Sequence, residues 1–255
     1  MKRLAIFLYG VGSYAVFFAT FLYAIAFVGN YSQLPTTLDG EPRVPPLEAL
    51  TTDILLLAVF AVQHSLMARP VFKRWWIRWV PEAAERSTYV LFSSLALILL
   101  FSYWQPIGGV MWAVENPIGR GLFYAAFAFG WLLVLYSTFL INHFDLFGLR
   151  QVWLQLLGKP YTALPFKTPA LYRIVRHPLY VGWFFAFWAT PDMSMTHVLF
   201  ALMITVYILS AIQLEERDLC EAHPEYEAYR REVPMLVPRF SQRRRRPLVD
   251  DETAA

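Results

Sequence analysis

Long, almost charge-free stretches set the strongest limit on what this chain can fold into. A helix needs about 20 apolar residues to cross the hydrocarbon core of a bilayer. Four segments approach or exceed that length, at 4–28, 52–67, 88–103 and 121–141. Only 16% of the residues are charged, against about 25% in soluble domains. We therefore expect an all-α integral membrane protein.

Two further apolar runs, at 179–189 and 197–214, lie nearer the C-terminus. The first is too short to cross a bilayer as an upright helix, because each residue adds only about 1.5 Å. It could tilt, extend into the residues before Pro178, or form a re-entrant hairpin with the last run. We therefore expect five or six transmembrane helices, with a helical hairpin at the C-terminal end.

The loops between these runs predict the orientation of the chain. Lysine and arginine clusters precede the first span, separate the second from the third, follow the fourth, and recur in the RRRR tail. The positive-inside rule makes that side cytoplasmic, so both termini are cytoplasmic if there are six spans. We expect a protein of the bacterial inner membrane. Within 142–176, the apolar and polar residues of DLFGLRQVWLQLLG alternate at helical spacing. This pattern predicts a helix that lies at the membrane interface.

The same features predict the domain organisation. We expect one transmembrane domain at 1–238, composed of four spans (1–141), an interfacial segment (142–176), and a hairpin with a C-terminal helix (177–238). The charged stretch 239–255 is predicted to be a disordered tail. The basic residues suit a membrane surface better than nucleic acid. One cysteine excludes an internal disulfide, and we predict no metal site. The sequence does not indicate an oligomeric state.

Opposite charges mark the two ends of the predicted hairpin. RIVRHPLY places Arg173, Arg176 and His177 before its first helix, and AIQLEERDL places Glu215 and Glu216 at the end of its second. The hairpin would bring both groups to one side of the membrane. One interpretation is a salt-bridge cluster or a lipid-headgroup anchor. The other is a site for a zwitterionic ligand, with arginine for its carboxylate and glutamate for its ammonium or hydroxyl groups.

The motif R-x-x-R-H-P-x-Y-x-G, followed by an apolar hairpin, E-E-x-x-L and EAHPEYEAYRREVPMLVPR, resembles a known pattern. It is similar to the C-terminal half of the isoprenylcysteine carboxyl methyltransferase and phospholipid methyltransferase superfamily. These membrane enzymes use S-adenosylmethionine. AVQHSLMARPVFKRWW and YSTFLINHFDLFGLRQVW narrow the resemblance to the methanethiol S-methyltransferase branch and its NnrU-like relatives.

This resemblance implies a cytoplasmic site for S-adenosyl-L-methionine, formed by Arg173, Arg176, His177, Tyr180, Gly182, Glu215 and Glu216. The glycine would allow close approach of the backbone. The implied reaction methylates a small thiol in the lipid bilayer, most simply methanethiol to dimethyl sulfide. Several alternatives remain: a methyltransferase acting on another thiol or a lipid, an NnrU-like membrane haem or redox protein linked to nitrogen oxides, an NADPH-binding enzyme related to the membrane sterol reductases, and a scaffold or transporter.

Polar residues that interrupt the second span or end the fourth are the candidates for the acceptor side: Gln63, His64, Ser65, Asn142, His143 and Asp145. Such residues usually face a cavity or a partner, and for His64 the simpler role is a hydrogen bond between helices. Because a thiolate is far more reactive than a thiol, we expect His64 or His143 to act as the base. Asn142 could orient the base or the sulfur, and the other three would line the substrate site.

Overall fold

The computed structural model describes residues 1–239, so the predicted tail lies outside the described residues from position 240 onward. The helices in chain order are α1 (Lys2–Val28), α2 (Pro46–Ala68), α3 (Pro70–Trp76), α4 (Glu82–Tyr103), α5 (Pro117–Ile141), α6 (His143–Leu146), α7 (Leu149–Leu156), α8 (Pro178–Trp188), α9 (Met195–Ala222) and α10 (Glu225–Glu232). A 3₁₀ turn covers Ala170–Arg173, and two short antiparallel strands pair, β1 (Val110–Ala113) and β2 (Asp192–Ser194).

Within residues 1–239, five helices are long and apolar enough to cross a membrane: α1, α2, α4, α5 and α9. The prediction of an all-α membrane protein is confirmed. Each of these helices begins before the apolar run that predicted it, and α9 also continues past Glu216 to Ala222. The apolar runs therefore mark the part of each helix that suits a membrane, not its whole length.

Residues just outside the apolar runs determine where the helices begin. The side chain of Asn116 accepts hydrogen bonds from the backbone N–H groups of Ile118 and Gly119 at the start of α5. Ser194 accepts one from His197 at the start of α9. Both α2 and α8 have a proline in the first turn, where the missing N–H costs no helical hydrogen bond.

The connections between helices meet at two ends of the bundle. At the loop end (29–45, 104–116 and 189–194), β1 pairs with β2, and Trp104 Nε1 donates to the carbonyl of Leu38 (3.0 Å). At the site end (69–81, 142–177 and 223–239), Arg86 donates to the carbonyl of Leu146 (2.8 Å). Successive connections therefore alternate between the loop end and the site end. The positions of the basic clusters in the sequence predicted the same alternation.

Helix α8 is a short passage between these two ends. His177, just before it, contacts Glu216 of α9 at the site end, and β2, just after it, belongs to the loop end. Its 11 residues rise about 16 Å, roughly half of the hydrocarbon thickness of about 30 Å. The described chain therefore passes between the ends six times, in five long helices and one short one.

Two glycines allow α8 to pack closely against α5. A Cβ at Gly182 would lie 2.8 Å from the carbonyl oxygen of Gly130 and 2.9 Å from the backbone nitrogen of Val134. A Cβ at Gly130 would lie 2.5 Å from the backbone nitrogen of Ala186. Small residues permit such contacts between membrane helices. The close approach that Gly182 allows here is to α5, while its role at a cofactor stays a prediction.

Replacing Gly182 with alanine should destabilise the fold, because the added methyl group would meet backbone atoms that cannot move aside. We expect a loss of about 1–3 kcal/mol in the free energy of unfolding, measured by unfolding the purified protein in detergent. Gly121→Ala is the matched control, since nothing lies within 4 Å of its Cβ position and alanine favours a helix. Equal stability of the two variants would contradict this description of the helix crossing.

Candidate active site

Glu216 is the centre of a buried ion-pair cluster at the site end. Its Oε1 lies 2.7 Å from Nε of Arg176 and 2.9 Å from Nε2 of His177, and its Oε2 lies 3.4 Å from Nε of Arg230. Only 4% of its side chain is exposed. Partners of this kind are required, because taking an ion out of water costs several kcal/mol. Both oxygens of Glu216 are therefore already in use.

The chain after α10 closes over this cluster. The backbone N–H groups of Arg176 and His177 donate to the carbonyls of Pro234 and Met235. Nη1 of Arg176 donates to the carbonyl of Val233 at 2.5 Å. The backbone of the EVPML segment therefore holds the Arg-His pair in place, in addition to the ion pairs with Glu216.

Arg173 lies apart from the cluster. It is exposed at the end of the 3₁₀ turn, and its Nε donates to the carbonyl of Thr168 (3.0 Å). The structure thus brings Arg176, His177 and Glu216 together, as the hairpin argument predicted, but not Arg173.

Glu215 is the carboxylate that faces open space. Its side chain is 44% exposed, and its Oε2 lies 4.0 Å from Nδ1 of His177. The Tyr180 hydroxyl donates to the same oxygen at 2.8 Å. Among the described residues, no lysine or arginine forms an ion pair with Glu215. Its carboxylate is therefore available for an external cation or hydroxyl group.

A group of tyrosines continues from Glu215 into the bundle. Tyr180 and Tyr89 lie within electrostatic range of Glu215, and both also lie within electrostatic range of Tyr207. The Tyr207 hydroxyl also lies 3.1 Å from Oγ of Ser65, on α2. These tyrosines therefore connect the α8–α9 hairpin to the polar residues of the second span.

His64 belongs to this tyrosine group. The Tyr89 hydroxyl lies 2.9 Å from its Nε2, Oγ of Ser93 lies 3.2 Å from its Nδ1, and its ring stacks on Phe60. The hydrogen bond between helices that was considered for His64 is present. Beside it on α2, the buried Oε1 of Gln63 has no partner among the described residues, so it remains available to a ligand.

His143 lies in different surroundings. Oγ1 of Thr138 donates to the carbonyl of Leu135 (2.6 Å), so it accepts the Nδ1–H of His143 (2.8 Å). Nε2 of His143 is then left to accept the Tyr14 hydroxyl (2.7 Å). Burial lowers the pKa of His143 below its ordinary value, so the ring is neutral near pH 7. Its contacts among the described residues are with α1, α5 and the segment around α6.

Asn142 and Asp145 shape the segment around α6. Asn142 has φ 149°, a region that favours glycine, and its side chain accepts from the backbone N–H of Asp145 (3.0 Å). Strain of this kind persists only where the surroundings enforce it. Asp145 pairs with Arg150 (2.8 Å) and accepts from Tyr161. The roles predicted for Asn142 and Asp145 at the substrate stay predictions.

Two tyrosines that touch the candidate bases were not found from the sequence. Tyr14 contacts His143 and Tyr89 contacts His64, but tyrosine occurs 14 times in the chain and neither belongs to a motif. Their roles depend on how the helices are rotated. Among the described residues, no group of three or more His, Cys, Asp or Glu side chains could hold a metal ion.

Fold and site together define a helical membrane protein with an open carboxylate beside a buried ion-pair cluster. The chain belongs to the methanethiol S-methyltransferase family. It is 56% identical over 239 residues to the methanethiol S-methyltransferase of Crocosphaera subtropica, with 93% of each chain covered. The Mycobacterium tuberculosis protein of that name is 53% identical, with 93% of this chain and 98% of the relative covered.

A more distant relative has a different name. Nurim of Rattus norvegicus is 34% identical over 182 residues, which are 68% of this chain and 69% of nurim. No protein-family model and no solved structure matches the chain. The resemblance expected from the sequence motifs is confirmed, and the chain is a membrane methyltransferase.

Glu216→Ala should destabilise the protein strongly, because it leaves Arg176 and His177 buried without a carboxylate. We expect a loss of about 3–5 kcal/mol in the free energy of unfolding. Glu221→Ala is the control, because it breaks an exposed ion pair between Glu221, whose side chain is 68% exposed, and Arg217, whose side chain is 77% exposed. Exposed pairs contribute little to stability. If both variants unfold alike in detergent, the buried cluster does not stabilise the fold.

Proposed function

We propose that the protein methylates methanethiol to dimethyl sulfide, with S-adenosylmethionine as the methyl donor. The observation that carries this proposal is similarity, over 93% of the chain, to proteins that bear the name methanethiol S-methyltransferase. The open carboxylate of Glu215 supports a donor that carries positive charge. A small apolar acceptor also suits a site that is built largely from membrane helices.

The residues around Glu215 fit such a donor. A free carboxylate can bind ammonium or ribose hydroxyl groups, and the faces of Tyr180 and Tyr207 can attract a cation. When bound, the donor supplies a methyl group on a positively charged sulfur that leaves as a neutral thioether. Glu216 has both oxygens in use, so we assign it and Arg176 to holding the site in shape.

We propose His64 as the residue that takes the proton of the thiol. The S–H bond breaks, the proton passes to a ring nitrogen, and the electron pair stays on sulfur, which becomes the nucleophile. His64 shares the tyrosine group that leads to Glu215, which favours it over His143. The apolar walls of the bundle would exclude water, which favours a reaction in which opposite charges cancel.

We also propose that the site end faces the cytoplasm, because the basic clusters lie there. Both termini would then be cytoplasmic, in the inner membrane of a bacterium. Alkaline phosphatase, which is active only outside the cytoplasm, should be inactive when fused to the C-terminus and active when fused within 29–45. The opposite pattern would reverse the orientation.

Membranes that contain the protein, supplied with methanethiol and S-adenosylmethionine, should release dimethyl sulfide, measured by headspace gas chromatography. His64→Ala should lower kcat by about 10²–10⁴-fold, the usual contribution of a general base. His143→Ala is the comparison, and we expect it to keep most of kcat as long as it folds.

Other outcomes would change the proposal in defined ways. Loss of turnover in His143→Ala alone would make His143 the base. If folded protein binds S-adenosylmethionine but forms no dimethyl sulfide, the acceptor is another thiol or a lipid. If it binds no S-adenosylmethionine, the proposed cofactor is wrong.

A further inference from the structure

Of the two arginines that were expected to bind the carboxylate of the cofactor, Arg176 is engaged elsewhere and Arg173 lies apart from the ion-pair cluster. Nε of Arg176 bonds to Glu216, and its Nη1 bonds to two backbone carbonyls. Arg173 donates to the carbonyl of Thr168 and is exposed. A ligand with an amino-acid end would therefore need another cation near the site.

A cavity of about 720 Å³ lies at the site end, between α3, the start of α4 and the segment around α7. Its lining carries charges of both signs, and the charged residues are Lys73, Arg86, Lys159, Glu82, Glu85 and Asp145. Gln151, also in the lining, has a buried side-chain oxygen without a partner. The cavity therefore offers groups for a ligand that carries both a positive and a negative charge.

Lys73 and Arg86 lack an anionic partner. Among the described residues, neither forms an ion pair. Nε of Arg86 donates to the carbonyl of Leu146 (2.8 Å), and its guanidinium lies over the ring of Tyr89 (5.3 Å to the ring centre). Burial, and then the charge of Arg86, lowers the pKa of Lys73. Two neighbouring cations in this state would gain from a shared carboxylate.

The cavity and the open carboxylate lie at the same end of the bundle. Tyr89, whose ring lies under Arg86, is in electrostatic range of Glu215. Asp218, about one helical turn beyond Glu215 on α9, pairs with Arg69 (2.9 Å), which lies between α2 and the start of α3. An extended ligand held at Glu215 could therefore reach into the cavity.

We propose that this cavity binds the amino-acid end of the methyl donor, with its carboxylate between Lys73 and Arg86 and its ammonium toward Glu85. The inference rests on the proposed function. This placement explains why the cavity has carboxylates beside its cations, since carboxylates would weaken a site that binds only an anion. Glu215 would then bind the ribose hydroxyls, and the positive sulfur would lie near the tyrosines.

Two soluble ligands test this placement by calorimetric titration of the full chain in detergent. S-Adenosylhomocysteine has the amino-acid end, and 5′-methylthioadenosine lacks it. Lys73→Gln should weaken binding of S-adenosylhomocysteine by about tenfold or more, the effect of one charge-assisted hydrogen bond. Binding of 5′-methylthioadenosine should not change, and Lys73→Arg should recover part of the loss.

Arg74→Gln is the matched control, because it removes the same charge from an exposed position next along α3. It should leave the affinity for both ligands unchanged. If Lys73→Gln does not fold, as judged by unfolding without ligand, Glu85→Gln tests the opposite wall of the cavity with the same expected selectivity.

The outcomes separate the inference from the proposed function. If Lys73→Gln weakens both ligands equally, or neither, the amino-acid end lies elsewhere and the proposed function is untouched. If the wild-type protein binds neither ligand, the proposed cofactor fails and the inference fails with it.

Discussion

A carboxylate buried in a helical bundle can stay charged only if cations reach it, and this requirement organises one whole end of the molecule. Glu216 lies inside α9, yet its partners come from the residue pair before α8 and from α10. Because those segments are far apart in the chain, the hairpin and the C-terminal helix must assemble around one side chain. The backbone bonds between Arg176–His177 and 234–235 follow from that assembly.

Neighbouring glutamates take different roles because successive residues on a helix point about 100° apart. Glu216 faces the cations and is buried, while Glu215 faces Tyr180 and open space. In our proposal, the first holds the site together and the second binds the ligand. A salt-bridge cluster and a ligand site, which were alternatives for the charged ends of the hairpin, are thus compatible in the proposed arrangement, with one glutamate for each.

Features that depend on composition and local order could be predicted from the sequence. The long helices follow from apolar runs, and the meeting of Arg176, His177 and Glu216 follows from the hairpin. Strands β1 and β2 could not be predicted, because segments of four and three residues carry no usable alternation. The contact of Tyr89 with His64 depends on how whole helices are rotated, and the outward position of Arg173 depends on the path of the 3₁₀ turn before α8. No local pattern encodes either of them.

The short length of α8 determines the depth at which the site lies. With 11 residues beside partners of 25 and 28, it covers only part of their length, and the residue before it contacts Glu216, which lies six residues before the end of α9 at Ala222. In the proposed orientation, water reaches this point from the end of the bundle and hydrocarbon reaches it from the side. The proposed charged donor could arrive from the aqueous side, and the proposed apolar thiol, which dissolves in lipid, could arrive and leave through the bilayer without crossing its path.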